Sequence, residues 1–537
     1  MRILIVCIIF NFISFQFIFS QNSGQILAKV IDIETLEPIS YATIRIKDSN
    51  QGVIADYNGE FRIPLAYADA TILITSIGYE AKEILLNELN LDGLNIIKIN
   101  TQVEALDPVF ISSRTKVKGT SFNPKDLVKK NRKLSAKDIV LRAISRIPNN
   151  LSNQPHSYIG YYRDYQLLNN KFHNLNEAIL ETFDQGIYTN FLEDNTVSTA
   201  IYSFSQNEDF TIDSLLTKAY DGITKYIKYS DILPRGGNEH TILNIHNPIR
   251  NYNFSTFSYV YRLDTDFPEL HQFRKNKIVF LNNEPLIVIK FKNAKPQDKS
   301  LYGLKTARSF NNEYVQGSIY ISLVDYSIHR FNYKVHPPDS KKALYNISLE
   351  YARQNDKMYL NYITFNNAFV SGESFVLREE KVEFDKADQA FYITFNNKGA
   401  NLDMRTMVPK NFKFKLAGKS LQTVDVYKAS GTRMFKVTVK NFDGTKIDIN
   451  SKNIHEVSHK FKRIKDVMGR EIYEQRTIKG DQFREFFVQK VNENKPLSDR
   501  LSIMNKNLPI KTSILNDFPE KNQYWINSPL MDKKYRD

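Results

Sequence analysis

Apolar and polar residues alternate with a period of two through most of this chain, and this constrains its fold more than any other feature. LYNISLEYAR at 344–353 shows the pattern. Tyr345, Ile347, Leu349 and Tyr351 fall on one side, and Asn346, Ser348 and Glu350 on the other. Successive side chains of a strand point to opposite faces, so such a segment is a strand with one dry and one polar face. MYLNYITF at 358–365 follows across Asn355-Asp356. KIVFL at 277–281 meets LIVIKFK at 286–292 across Asn282 and Asn283. GSIYISLV at 317–324 meets SIHRFNYKV at 327–335 across Asp325 and Tyr326. Hairpins in series predict an antiparallel meander from about 155 to 400. The 36 Phe and 30 Tyr favour strands, and 20 Gly are too few for a glycine-rich fibrous chain. With 537 residues, the chain should divide into about three to four units.

The segment from Gly24 to about Ile111 has shorter strands of the same kind: GQILAKVID, SYATIRIKD, GVIADYNGEFRIPL and ATILITSIGY. Asp56-Tyr57-Asn58-Gly59 reads as a hairpin turn, because Asn-Gly suits positive φ. A calcium loop is a poor fit, since Tyr67 stands where its twelfth-position Glu belongs. Asp32, Thr35, Pro38-Ile39, Ala42-Thr43-Ile44, Asp56-x-Asn58-Gly59-x-Phe61 and Ser76-Ile77-Gly78-Tyr79 together resemble the carboxypeptidase regulatory-like domain. That resemblance implies a prealbumin-like, seven-stranded β-sandwich that serves as an interaction module and has no peptidase chemistry. The same module heads TonB-dependent outer-membrane transporters. Here about 425 residues follow it, too few for a plug and a 22-stranded barrel at about 10 residues per strand with loops. Tyr161-Tyr162-Arg163-Asp164-Tyr165 and Arg484-Glu485-Phe486-Phe487-Val488-Gln489 resemble envelope proteins that carry the module ahead of a β-rich body. Gly317 to Arg330 is locally similar to the curved half-barrels of lipoprotein carriers, which implies a sheet able to hold an acyl chain.

The first twenty residues, MRILIVCIIFNFISFQFIFS, read as a secretory signal with a cleavage point after Ser20. Cleavage there removes Cys7, the one cysteine, and leaves neither thiol chemistry nor a disulfide. No later run reaches the roughly 18 apolar residues of a spanning helix. The net charge is +14, and part of it sits in a basic connector at 113–134, where eight Lys and Arg face only Asp126. The expected location is the periplasm or outer membrane of a Gram-negative bacterium. The expected partners are envelope proteins, with anionic lipid or polysaccharide as charged candidates. Nucleic acid is not expected of an exported chain without a recognised binding motif.

Ser135-Ala-Lys-Asp138 opens a helix with a capping box. Its apolar side is expected at Ile139, Leu141, Ala143, Ile144 and Ile147, with Pro148 as the stop. His455-Glu-Val-Ser-His459 matches the H-E-x-x-H zinc motif, with Glu456 as base and Glu471, Glu474 or Glu485 as candidate third ligands. The context argues for a plain surface helix over 454–468. Asn453 can cap it, Gly469 can end it, and Ile454, Val457, Phe461, Ile464 and Met468 form an apolar stripe. Both His then face solvent beside Lys462, Arg463 and Asp466, and Lys460 falls where a zinc hydrolase prefers an uncharged residue.

The expected fold is mainly β. It comprises a signal at 1–20, a sandwich at 21–112, a connector with a short helix at 113–150, an antiparallel body at 151–415 and a mixed segment at 416–537. The expected function is a non-enzymatic envelope protein without a cofactor, in which the sandwich docks and the body is a scaffold or ligand binder. A secreted zinc hydrolase and a lipid or glycan carrier are the alternatives.

Overall fold

A computed structural model describes residues 24–49, 51–104, 115–117, 120–190, 197–213, 238–254, 260, 262–293, 314–336, 343–372, 376–397, 401–431, 433–450, 453–467, 469–474, 477–518 and 523–530. The expected signal at 1–20 lies outside the described residues. The chain forms two compact units. One holds the N-terminal segment, residues 219–369 and residues 480–537; the other is essentially residues 370–479. The position 415/416 falls inside the second unit, and residues 480–537 return to the first.

The N-terminal module has seven strands: β1 (Gln25–Asp32), β2 (Thr43–Ile46), β3 (Gly52–Ile54), β4 (Glu60–Pro64), β5 (Thr71–Thr75), β6 (Lys82–Leu85) and β7 (Leu94–Ile99). They form two sheets, ordered β4-β1-β7 and β3-β2-β5-β6, as the prealbumin-like expectation requires. Ile26, Ala28, Val30, Phe61 and Ile63 meet Ile44, Val53, Ile72 and Ile74 in the core between them. The motif residues build its turns. Asp32 Oδ1 accepts the N–H groups of Glu34 and Thr35, and Asp56 Oδ1 accepts those of Asn58 and Glu60. Gly59 has φ +74°, and a Cβ there would lie 2.5 Å from the Val30 carbonyl oxygen, so only glycine fits.

The connector is more ordered than a linker. Short strands β8 (Val103–Glu104), β9 (Thr115–Val117) and β10 (Thr120–Phe122) lead to helix α1 (Pro124–Arg132). Val128 of α1 is buried in the main core, while Lys129, Lys130 and Arg132 in its last turn complement the helix dipole. Helix α2 (Ala136–Asn150) has the expected capping box at Ser135 and Asp138. Its buried stripe is Ile139, Val140, Ala143, Ile144 and Ile147; Leu141 points outward. Pro148 does not stop the helix. Near a C-terminus it forfeits only one backbone bond, and Leu151 N–H closes the last turn on Ile147.

The body is one antiparallel sheet. Its strands are β11 (His156–Leu168), β12 (Lys171–Asp184), β13 (Val197–Gln206), β14 (His271–Leu281), β15 (Glu284–Asn293), β16 (Tyr314–Ser322), β17 (Ile328–His336), β18 (Tyr345–Gln354) and β19 (Lys357–Gly372). Helices α3 (Glu239–Ile245) and α4 (Asp266–Leu270) lie in sequence between β13 and β14. The second unit carries β20 (Glu379–Asp385), β21 (Ala390–Phe395), β22 (Phe412–Leu416), β23 (Lys419–Ser430), β24 (Met434–Lys440) and β25 (Val457–Phe461), and β26 (Thr477–Glu493) follows. The sheet order is β13-β12-β11-β26-β19-β18-β17-β16-β15-β14-β8. All three expected hairpins are present. Asn282 and Asn283 both have positive φ, as a type I′ turn needs, and the other two turns each use one positive-φ residue, Tyr326 and Asn355. Bulges between Ile159 and Gly160, Lys275 and Lys277, Tyr320 and Ile321, and Glu350 and Tyr351 go with the sheet's curl.

One face of the sheet is fully packed. Ile289, Phe291, Phe331, Tyr333, Ile347, Leu349 and Phe365 join α2, α3 and α4 in the main core. Phe267 of α4 lies 5.0 Å from Phe291, edge to face. Phe331, Tyr333 and Phe365 are therefore core residues. The histidines of this face are core residues too. Burial pushes His240 down to about 3 and His271 to about 4, so both are neutral.

In the second unit the sheet order is β20-β21-β24-β23-β22-β25, over a core of Phe391, Phe395, Phe412, Phe414, Phe435 and Phe461. The expected helix over 454–468 is absent. Residues 454–456 form one 3₁₀ turn with no side-chain cap from Asn453. Val457–Phe461 is a strand paired to β22, with His459 opposite Phe414. A period of two won over the apparent period of 3.6: Val457, His459 and Phe461 share one side, and Phe461 is buried. Asp466, expected to be wet, is buried with Arg470 in a tight turn, and Gly469 serves that turn and no helix. Met468 lies outside the described residues.

Candidate functional site

The polar face of the large sheet carries the site, because the sandwich is seated on it. Two contacts fix the sandwich. Tyr41 stacks on Tyr362 at 4.7 Å and approaches Phe487, which stacks on Tyr161. Ile77 packs on Val279, Leu286 and Val288, and Gly78 N–H donates to the Phe280 carbonyl at 3.0 Å. Residues 523–530 run between the two parts as a strap. Trp525 enters the sandwich core, Gln489 holds its backbone at both N and O, and Asn527 donates to the Ile54 carbonyl.

Beneath this contact lies a buried charge cluster. Arg163 on β11 stands opposite Glu485 on β26, and its Nε donates to Glu485 Oε2 at 2.5 Å. Nη1 donates to the Asn527 carbonyl at 2.9 Å, and Nη2 approaches Asp56 Oδ2 at 4.0 Å. Glu485 thus takes the guanidinium closely, and Asp56 keeps only a long contact. Burial therefore dominates at Asp56 and pushes its carboxyl up to about 6, with Arg163 opposing and Glu60 adding to the rise. The sign follows. A carboxyl held above its unfolded value contributes stability below about pH 4, and that contribution is lost as pH rises through about 6. Against an Asp56→Asn variant, the wild type should lose on the order of 3 kcal/mol across that window. Urea unfolding of both proteins at several pH values measures it; a difference that stays flat refutes the assignment.

Between the two contacts the sandwich and sheet leave an open groove of about 780 Å³. Ser40, Tyr41 and Tyr57 form one wall. The floor is built by register. One cross-strand row reads Gln272, Lys292, Gln316, Lys334, Asn346; the next reads Arg274, Lys290, Ser318, Asn332, Ser348. Arg274, Lys290, Lys292 and Lys334 are exposed, and none forms an ion pair among the described residues. Arg330 is the exception, closed on Glu350 at 2.6 Å. Among the described residues, no carboxylate lines the groove. Four cations on one face, unpaired among the described residues, repel one another, and an anion laid across them relieves that.

The residues singled out in the H-E-x-x-H motif lie elsewhere. His455 is exposed beside Glu456, and His459 pairs with Glu379 at 3.0 Å. They share no helix face, which is the geometry the zinc motif needs. Of the candidate third ligands, Glu471 meets Lys465, Glu474 is exposed, and Glu485 is buried on Arg163. Among the described residues, no three His, Cys, Asp or Glu side chains are grouped to hold a metal ion.

The fold is a β-sandwich module seated on a curled antiparallel sheet. Residues 26–111 match the CarboxypepD_reg-like domain family, so the match covers the sandwich and, of the large sheet, only the short edge strand β8. No curated protein matches the chain. Sequence reasoning missed the groove cations. Lys290 and Lys292 at alternate positions were a visible signal, but their approach to Arg274 and Lys334 depends on strand register.

Proposed function

We propose that this chain is an exported, non-enzymatic protein of the cell envelope, in which the sandwich is a docking module and the large sheet a ligand-binding scaffold. The apolar, interrupted run at 1–20 supports export, and the regulatory-like match supports an interaction role for the sandwich. The observation that carries the binding role is the groove, where Arg274, Lys290, Lys292 and Lys334 lie exposed and form no ion pair among the described residues. A site of this kind binds anions with strong salt dependence. Calorimetric titration of the full chain with a panel of polyanions, at low and at high salt, tests the reading. Binding that weakens with salt and with Lys290→Gln/Lys292→Gln is expected. No binding to any polyanion at low salt overturns it.

A further inference from the structure

The groove floor specifies more than charge. Its cations are spread over neighbouring strands: Arg274 on β14, Lys290 and Lys292 on β15, and Lys334 on β17. Strands lie about 4.8 Å apart, so Lys292 and Lys334 stand about 10 Å from one another along one row, and Arg274 to Lys334 spans about 14 Å across the sheet. A single headgroup or a free phosphate meets one or two of these cations and leaves the rest unmatched. The occupant that meets them all is extended and carries its charges at intervals.

The positions between the cations are filled by amides and hydroxyls. Gln316 lies between Lys292 and Lys334, and Ser318 and Asn332 continue the row that begins with Arg274 and Lys290. Such side chains donate to and accept from hydroxyl groups. Of the aliphatic residues on these strands, Ile289 and Ile319 point to the packed face, and Leu286 and Val288 are covered by Ile77 of the sandwich, so the floor between the cations is left to amides and hydroxyls. Tyr57, on the sandwich wall, is 58% exposed and offers a flat aromatic face. Spaced cations, interleaved hydrogen-bonding groups and an exposed ring are the complement of a sugar chain.

We infer that the groove binds a linear acidic polysaccharide, laid across the strands of the sheet with its anionic groups on Arg274, Lys290, Lys292 and Lys334 and a sugar ring against Tyr57. This inference rests on the binding role proposed above and names its ligand class.

The test is calorimetric titration of the full chain with five probes: short oligomers of a uronic acid, neutral glucose oligomers of the same length, a short single-stranded oligonucleotide, inorganic polyphosphate, and vesicles containing phosphatidylglycerol. The uronic acid oligomer should bind at least about tenfold more tightly than each other probe. Lys292→Gln/Lys334→Gln should weaken it at least about tenfold, and Lys428→Gln, on the exposed surface of the second unit, should leave it unchanged. Tyr57→Ala should weaken the uronic acid oligomer while leaving binding of inorganic polyphosphate intact. Preference for the vesicles or the oligonucleotide, or equal binding of all anionic probes, overturns the polysaccharide assignment and leaves the binding role standing. Absence of binding to every anionic probe removes both.

Discussion

Arg163→Met should cost the protein about 3–5 kcal/mol, the loss expected when one partner of a buried ion pair is removed. Arg163 and Glu485 are both essentially inaccessible, at 1% and 0% exposure, so no water replaces the missing guanidinium. The substitution strips Glu485 of its one close cation and Asn527 of a hydrogen bond that ties the strap to the sheet. It also removes a cation stacked over Tyr165 at 5.6 Å and Phe487 at 5.4 Å. The double variant Arg163→Met/Glu485→Leu should recover much of the loss, since an apolar pair of similar volume carries no desolvated charge. Urea unfolding midpoints of the wild type, both single variants and the double variant give the coupling directly. A single variant within about 1 kcal/mol of wild type would sink this account of the junction. The variant should also release the strap, so protease cleavage near 523–530 should accelerate more than cleavage within the sheet.

The same rung shows what sequence alone can and cannot tell. Tyr161–Tyr165 and Arg484–Gln489 stand out in the sequence as two separate segments. In the structure they are adjacent strands, with Arg163 opposite Glu485 and Asp164 opposite Arg484. One pair faces the sandwich. On the other face Arg484 is buried against Glu239 of α3 and donates to Asn367. Nothing local encodes that pairing across 322 residues, because long-range register is set by the packing of whole faces. The hairpins at Asn282-Asn283 and Asn355 were legible, since a two-residue turn and its flanking alternation are both local. The stretch 454–468 misled for a related reason. Apolar residues three and four apart imitate a helix stripe, and only pairing with β22 shows that Val457, His459 and Phe461 belong to a strand. The groove cations share the limit: each is an ordinary exposed residue until register gathers them.

Gly317→Ala should destabilise the protein by about 3 kcal/mol and weaken anion binding at a face the new methyl group never reaches. Gly317 sits on β16 opposite Phe291 and Tyr333, and its missing side chain points to the packed face. A Cβ there would lie 2.1 Å from the Asn332 carbonyl oxygen and 2.2 Å from the Phe291 ring. No rotamer of Phe291 relieves the first of these clashes, because the carbonyl is backbone. The strand itself must shift. Gln316 and Ser318, its immediate neighbours, face the groove, and Lys292 and Lys334 flank Gln316 in the same row. A displacement of β16 would therefore spread the cations that the proposed ligand bridges. Phe291→Leu in the Gly317→Ala background removes the ring clash but leaves the carbonyl clash, so it should restore only part of the stability. Thermal unfolding and polyanion titration of the two variants separate the effects. Full stability with lost binding, or full binding with lost stability, would show that β16 does not couple the packed face to the groove.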